Sequence, residues 1–202
     1  MARRLLEKSR NMVQVERIAR LARHARRGNA RAFTLVELAI VVAIVGVLSV
    51  IAVVGYRKIT LSAKVSEAQN MISAIRIAQE DYKVERGTYL TISPSVWCPT
   101  PGTAQVKTGW DMTSCAGGAW AQLPVHVDGP VQFGYITYAG LAGSTPTSPG
   151  AWVDMTAGNA IAAIRPWYII KAQADLNGDA ALYTELVGTS FQNTIFSHNE
   201  GD

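Results

Sequence analysis

The chain has 202 residues, which is enough for one domain and an appendage, and its formal net charge is +4. Residues 1–32 carry nine Arg and one Lys against two Glu, or +8, so the remaining residues carry +4 − 8 = −4. A basic chain often binds nucleic acid, but here the positive charge is confined to a short leader, and we predict no nucleic-acid partner.

The basic leader is followed by a long apolar segment. Between 38 and 56 the only clearly polar side chain is Ser49. About 19 helical residues, at ~1.5 Å each, match the ~30 Å hydrocarbon core of a bilayer and exceed the ~7–15 apolar residues of a secretory signal. Because a basic flank keeps the N-terminus cytoplasmic, the segment predicts a membrane span with everything after Tyr56 exported.

The helix is predicted to continue beyond the apolar segment as an amphipathic one. Apolar residues recur there at helical spacing, without an intervening Pro or Gly: Val65, Ala68, Ile72, Ile75 and Tyr82. We therefore predict one continuous helix over 33–86, membrane-spanning over 33–57 and amphipathic over 58–86. Gly87 is expected to stop it.

The remainder, 87–202, is predicted to be a globular, β-rich head. Four strands are expected, the first two clearer than the others: 131–138, 167–174, 181–187 and 194–198. Residues 92–130 are predicted to be a long irregular loop, and 139–163 a loop with one short strand near Trp152. Antiparallel strands packed on the amphipathic helix would give an α+β fold.

The two cysteines, Cys98 and Cys115, lie in the exported part of the chain. An even pair in an oxidising compartment predicts a disulfide, worth about 3 kcal/mol for a loop of this length. Two free buried thiols are the alternative.

Glu37 is a lone carboxylate at the front edge of the apolar segment, and two interpretations remain open from the residues alone. Thr34 and Glu37 match a capping box, in which each side chain satisfies a free amide of the first turn. An ionisable group beside hydrocarbon is, on the other hand, usually functional.

The run Phe33-Thr-Leu-Val-Glu37-Leu, between a basic leader and an apolar span, resembles the processing signature of type IV prepilins and type II secretion pseudopilins. Arg86-Gly-Thr-Tyr-Leu90 resembles the helix exit of the same family. The resemblance implies a pilin-like fold and cleavage between Ala32 and Phe33 by a membrane aspartyl peptidase, which also methylates the new amine of Phe33. The family usually has Gly where this chain has Ala32, and Met12 offers an alternative start that shortens the leader.

The resemblance also implies a function. The processed chain would be a structural subunit of a type IV pilus-like filament, and Glu37 would neutralise the N-terminal amine of a neighbouring subunit. Its partners would be further pilin subunits, the prepilin peptidase and an assembly platform in the inner membrane. A pseudopilin of a type II secretion system is the alternative, and an uncleaved, membrane-anchored periplasmic enzyme or binding protein is a third hypothesis.

The residues Asp175, Asn177 and Asp179, here called the acidic turn, resemble the start of a calcium loop. The EF-hand pattern requires Gly and Glu where this chain has Ala180 and Leu186. Asn-Gly between two strands is a strong turn signal, so we favour a plain β-turn, with calcium as the alternative. The resemblance adds to that alternative, because some pseudopilins hold calcium in this region of the head.

Five tryptophans remain to be placed, and they favour a core more than a binding surface: Trp97, Trp110, Trp120, Trp152 and Trp167. The sequence shows no Ser/His/Asp constellation and no nucleotide-binding fingerprint. We predict that the protein is not an enzyme and that it needs no cofactor.

Overall fold

The computed structural model describes residues 33–92, 95–102, 106–111, 115–125 and 127–200, so the predicted leader lies outside the described residues. The elements follow in chain order: α1 (Leu35–Arg86), a 3-10 helix (Cys115–Gln122), β1 (Gly134–Gly140), α2 (Thr156–Ala162), β2 (Trp167–Ala174), β3 (Thr184–Thr189) and β4 (Phe196–His198). The strands form one antiparallel sheet in the order β1-β2-β3-β4. The prediction of an α+β, pilin-like fold is confirmed. Contacts divide the chain into two units, Met1–Ala52 and Val53–Asp202.

The helix α1 begins and ends close to its predicted limits. It starts two residues later than predicted, because Phe33 and Thr34 precede the first helical turn. At the other end Gly87 has a φ of +77° and donates its N–H to the carbonyl of Lys83 at 2.8 Å. Glycine adopts this left-handed conformation without a Cβ penalty, which is why the helix ends there.

One face of the sheet packs against the second half of α1. The buried residues of the helix recur at helical spacing: Val65, Ala68, Met71, Ile72, Ile75, Ala78 and Gln79. Alternate strand residues such as Ile170 and Leu186 join them in the main core. The approach is closest at Gly188 in β3, where a Cβ atom would lie 2.5 Å from Cγ2 of Ile72.

The opposite face of the sheet carries a second, smaller core that was not predicted. Its buried residues are Val153, Ala162, Trp167, Ile169 and Val187. The prediction of a loop over 139–163 with a short strand near Trp152 is wrong: the segment contains the helix α2, and Trp152 lies in a turn. The short helix forms because Ala162 can bury its side chain against the sheet. This contact involves residues distant in sequence, so no helical periodicity of apolar residues predicted it.

The outer edge of β1 is paired with residues of the preceding segment. Ile92 and Cys98 form isolated antiparallel bridges with Thr137 and Tyr135. These bridges satisfy backbone groups that an edge strand would otherwise expose. The predicted irregular loop over 92–130 is therefore anchored on the sheet, and it also contains the 3-10 helix.

Three strands differ in their limits from the predictions, and β3 also ends later than predicted, at Thr189 rather than at 187. β1 runs from Gly134 to Gly140 rather than over 131–138, and Val131 instead forms an isolated bridge with Thr108. β3 starts at Thr184 rather than at 181, because the connection after β2 occupies 175–183. β4 covers only Phe196–His198 of the predicted 194–198, whereas β2 has the predicted limits.

Candidate functional site: the start of the long helix

The first turn of α1 is closed by a reciprocal pair of side chains. Oε2 of Glu37 accepts hydrogen bonds from the backbone N–H and the hydroxyl of Thr34, both at 2.9 Å. The Thr34 hydroxyl in turn accepts the N–H of Glu37 at 3.1 Å. This is the geometry of a capping box, and it satisfies amides that have no partner within the helix.

The cap leaves part of the Glu37 carboxylate available. Both of its hydrogen bonds use Oε2, and Oε1 has no partner among the described residues. Phe33, which immediately precedes the cap, has 84% of its side chain exposed. Ala32, the residue predicted before the cleavage point, lies outside the described residues.

The residues after the cap form an exposed apolar surface. Within the part of the chain that the structure describes, α1 is the one helix long and apolar enough to cross a membrane; its best 18-residue window has a mean hydropathy of 3.0 and no buried residue. Ser49, the lone polar residue of the window, donates its hydroxyl to the carbonyl of Val45 at 2.7 Å. A polar group in hydrocarbon has no water to bind, so it must form its hydrogen bond within the protein, as this hydroxyl does.

The predicted pair Cys98 and Cys115 forms a disulfide, with 5.6 Å between the Cα atoms. Cys98 is buried and bridges to β1, while Cys115 begins the 3-10 helix. The bond therefore ties the 3-10 helix to the sheet edge. The disulfide therefore has a structural role, and it lies far in sequence from the start of α1.

The acidic turn is held by its own hydrogen bonds. The buried Asp175 accepts the N–H of Gly178 at 2.6 Å and that of Ala180 at 3.2 Å. Asp179 accepts the N–H of Ala181 at 2.8 Å, and this backbone hydrogen bond is the main cause of a lowered pKa for the Asp179 carboxyl. Asn177 donates to the other oxygen of Asp179 at 2.8 Å.

Every carboxylate oxygen of the acidic turn therefore already accepts a hydrogen bond within the turn. Among the described residues, no group of three or more His, Cys, Asp or Glu side chains is arranged to hold a metal ion. The connection is longer than the plain β-turn that was predicted, because nine residues, 175–183, separate β2 from β3. Calcium binding stays a prediction to be tested.

The tryptophans lie mainly in the two cores. Trp120 and Trp167 are buried. Trp110 packs edge-on against Trp120, with 5.1 Å between the ring centroids, and Trp152 packs against the second core. Trp97 is half-buried, and its ring lies under the ammonium group of a lysine in β2. The core interpretation therefore accounts for four of the five residues.

Two polar residues of α1 that sequence reasoning did not single out hold the head together. Gln79 is fully buried, and its amide pairs with both backbone groups of Leu90, at 2.7 Å and 2.9 Å. Arg76 donates to the carbonyls of Asn193 and Gln192, at 2.8 Å and 3.2 Å, and burial lowers its pKa. The sequence did contain a signal for Gln79. It continues the buried row of an amphipathic helix, where a polar side chain needs a hydrogen-bond partner.

A capped apolar helix that becomes amphipathic and packs on a four-stranded antiparallel sheet defines a pilin-like protein. Residues 27–53 match the family model described as the prokaryotic N-terminal methylation motif. The chain thus carries the hallmark of type IV pilin and pseudopilin precursors. No curated protein matches the chain significantly.

The methylation motif has two consequences for the site. It implies processing by a prepilin peptidase and polymerisation of the kind that pilins undergo, and it favours a structural protein over an enzyme. The apolar helix within the motif fits anchoring of the precursor in the inner membrane.

Proposed function

We propose that the chain is the precursor of a type IV pilus-like filament subunit that is cleaved between Ala32 and Phe33. The observation that carries the proposal is the coincidence of the methylation motif with a capped, fully exposed apolar helix. In the precursor, the basic leader keeps the N-terminus cytoplasmic, and the head lies in the periplasm. An assembly platform in the inner membrane then moves the subunit into the filament, where the apolar helices bundle.

Cleavage gives Glu37 its role. It leaves a cationic amine on Phe33, at the start of a helix that is buried among other helices in the filament. A buried charge without a partner costs about 3–5 kcal/mol. Oε1 of Glu37 in a neighbouring subunit is available to accept a hydrogen bond from this amine. The pair selects the axial register of neighbouring subunits, and a repeated offset contact of this kind gives an open helical filament.

The alternative is a pseudopilin that forms a short periplasmic filament in a type II secretion system. The same motif supports it, because the motif is shared by pilin and pseudopilin precursors. The two functions differ in where the polymer is found, on the cell surface or in the periplasm.

The first experiment measures the intact mass and the N-terminal residue of the protein from cell membranes and from sheared surface material. A chain that starts at methylated Phe33 in the sheared fraction supports the pilus, and the same chain confined to the periplasm supports the pseudopilus. A chain that retains its leader in every fraction would contradict both and indicate an anchored protein.

A pair of substitutions separates the two roles of the first turn. Glu37→Val removes the carboxylate and its half of the capping box, whereas Thr34→Ala removes the hydroxyl half, at a cost of about 0.5–2 kcal/mol, and keeps the carboxylate. We expect Glu37→Val to be cleaved and inserted but not assembled, and Thr34→Ala to assemble. If both variants lose filaments equally, the cap and not the charge pair explains Glu37.

A further inference from the structure

The face of α1 turned away from the sheet, here called the outer face, carries mainly small side chains between 62 and 73. Between 62 and 73 its exposed residues are small or uncharged: Ser62, Ala63, Ser66, Asn70 and Ser73. The hydroxyls of Ser66 and Ser73 donate to the carbonyls of Ser62 and Gln69, both at 2.9 Å. The Ser66 and Ser73 hydroxyls therefore need no water or outside partner. The small side chains of the outer face let a second helix approach closely.

The outer face ends in an acidic groove. Ile77, 66% exposed, and Asp81 lie four residues apart on this face and line one side of a groove of about 360 Å³, whose other side is formed by residues of the head. No described side chain forms an ion pair with Asp81. The groove also contains Arg76, but its guanidinium is engaged by carbonyls of the head, and Glu80 accepts the Tyr89 hydroxyl at 2.8 Å. The Asp81 carboxylate is the group left to attract an external cation.

A different face of the same helix carries a matching pair of residues nearer the N-terminus. Arg57 precedes Leu61 and Val65 at intervals of four residues, so it lies on the row that carries the sheet. It is nevertheless exposed, because burial of this row begins only at Leu61. Val53, four residues earlier, is 54% exposed. An apolar and a basic residue thus stand at the spacing of Ile77 and Asp81, with the opposite charge and about 120° away around the helix axis.

We propose that these two surfaces bind each other between copies of the chain: Val53 and Arg57 of one subunit dock on Ile77 and Asp81 of a second, parallel subunit. This inference rests on the proposed filament function and names one of its contacts. Both pairs differ by 24 positions (81 − 57 and 77 − 53), so the subunits are displaced by about 36 Å along the helix axis. Because the two surfaces are different parts of the same subunit, the contact is heterologous and can repeat without closing.

Charge reversal tests the ion pair. Arg57→Asp and Asp81→Arg are each expected to lower the yield of sheared or periplasmic polymer at least about tenfold, which corresponds to about 1.4 kcal/mol. The double variant is expected to restore it. Arg165→Asp, which changes an exposed cation elsewhere on the head in the same way, serves as the matched control and should assemble normally. Single variants with normal yield, or a double variant no better than either single one, would overturn the proposal.

Cross-linking tests the register. With Arg57→Cys and Asp81→Cys in one chain, oxidation should join subunits into a ladder of covalent oligomers, since the two positions are about 36 Å apart within a chain and disulfides need Cα atoms within about 7 Å. The pair Arg57→Cys and Ser73→Cys, eight positions out of register on the same outer face, should give no ladder. A ladder from the second pair only, or from neither pair in intact polymer, would refute the docking.

These outcomes are distinguishable from failure of the proposed function. If the unaltered chain keeps its leader or forms no polymer, the filament function itself is wrong. If the unaltered chain polymerises and the substitutions at Arg57 and Asp81 have no effect, only the docking contact is wrong.

Discussion

Replacing Gln79 by leucine should destabilise the head although leucine is apolar and the site is fully buried. The Gln79 side chain accepts the N–H of Leu90 at 2.9 Å and donates to the carbonyl of Leu90 at 2.7 Å. After the change the carbonyl keeps one bond, from the Thr137 hydroxyl at 3.1 Å. The N–H of Leu90 has no other acceptor among the described residues.

The magnitude follows from these bonds. An N–H left without an acceptor at a largely buried position costs about 1–3 kcal/mol, and the weakened carbonyl adds about 0.5–1.5 kcal/mol. Leucine has a volume similar to that of glutamine, so the cavity contribution is small. We expect a loss of about 2–4 kcal/mol in the free energy of unfolding.

Urea unfolding of the full chain in detergent, followed by tryptophan fluorescence, measures the loss. With a slope of about 2 kcal/mol per molar urea, the midpoint should fall by about 1–2 M. Gln69→Leu is the matched control, because Gln69 is a half-buried glutamine on the same helix whose side chain makes no hydrogen bond with the described residues. If Gln79→Leu and Gln69→Leu unfold at the same midpoint, the pairing with Leu90 does not stabilise the head.

Four further predictions concern the head. Gly188→Ala places a Cβ against α1 and should cost about 1–3 kcal/mol, whereas Gly129→Ala, with nothing within 4 Å, should not shift the urea midpoint. Replacing Cys98 and Cys115 by alanine should cost about 3 kcal/mol by the loop-entropy relation, measured by the same unfolding. Burial raises the pKa of Tyr168 to about 12 from 10.0, so the stability it contributes is complete below pH 10 and lost between pH 10 and about 12; Tyr168→Phe should flatten that decline in a pH series. Millimolar calcium should leave the melting temperature unchanged if the acidic turn is a plain turn, and a rise with calcium concentration would indicate a site.

The sequence predicted those elements whose limits are set by local chemistry. The helix α1 was predicted because nothing interrupts its apolar and amphipathic pattern, and Gly87 supplies the left-handed residue that ends it. β2 was predicted with its true limits because Pro166 and Asp175 bound a run of strand-forming residues. The capping box of Thr34 and Glu37 was predicted because it involves only residues three positions apart.

Other elements depend on distant parts of the chain. The helix α2 is short and rich in alanine and glycine, and it exists because the sheet offers it a face on which to bury Ala162. The late start of β3 reflects the hydrogen bonds by which Asp175 lengthens the turn before it. The partner that we propose for Glu37 belongs to another chain, so neither the local pattern nor one folded subunit contains it.

Three polar residues of α1 form hydrogen bonds with backbone groups of the head. Glu67 accepts the N–H of Gln132 at 2.7 Å, Arg76 holds the carbonyls after β3, and Gln79 holds the segment that leaves the helix. Each of the three satisfies backbone groups in a segment without regular pairing, so these side chains serve the subunit itself. Ile77 and Asp81 have no such partner among the described residues, although they lie within two positions of Arg76 and Gln79. The other side of the helix leaves an apolar residue and a carboxylate exposed, and in the docking proposed above that surface is covered by another subunit.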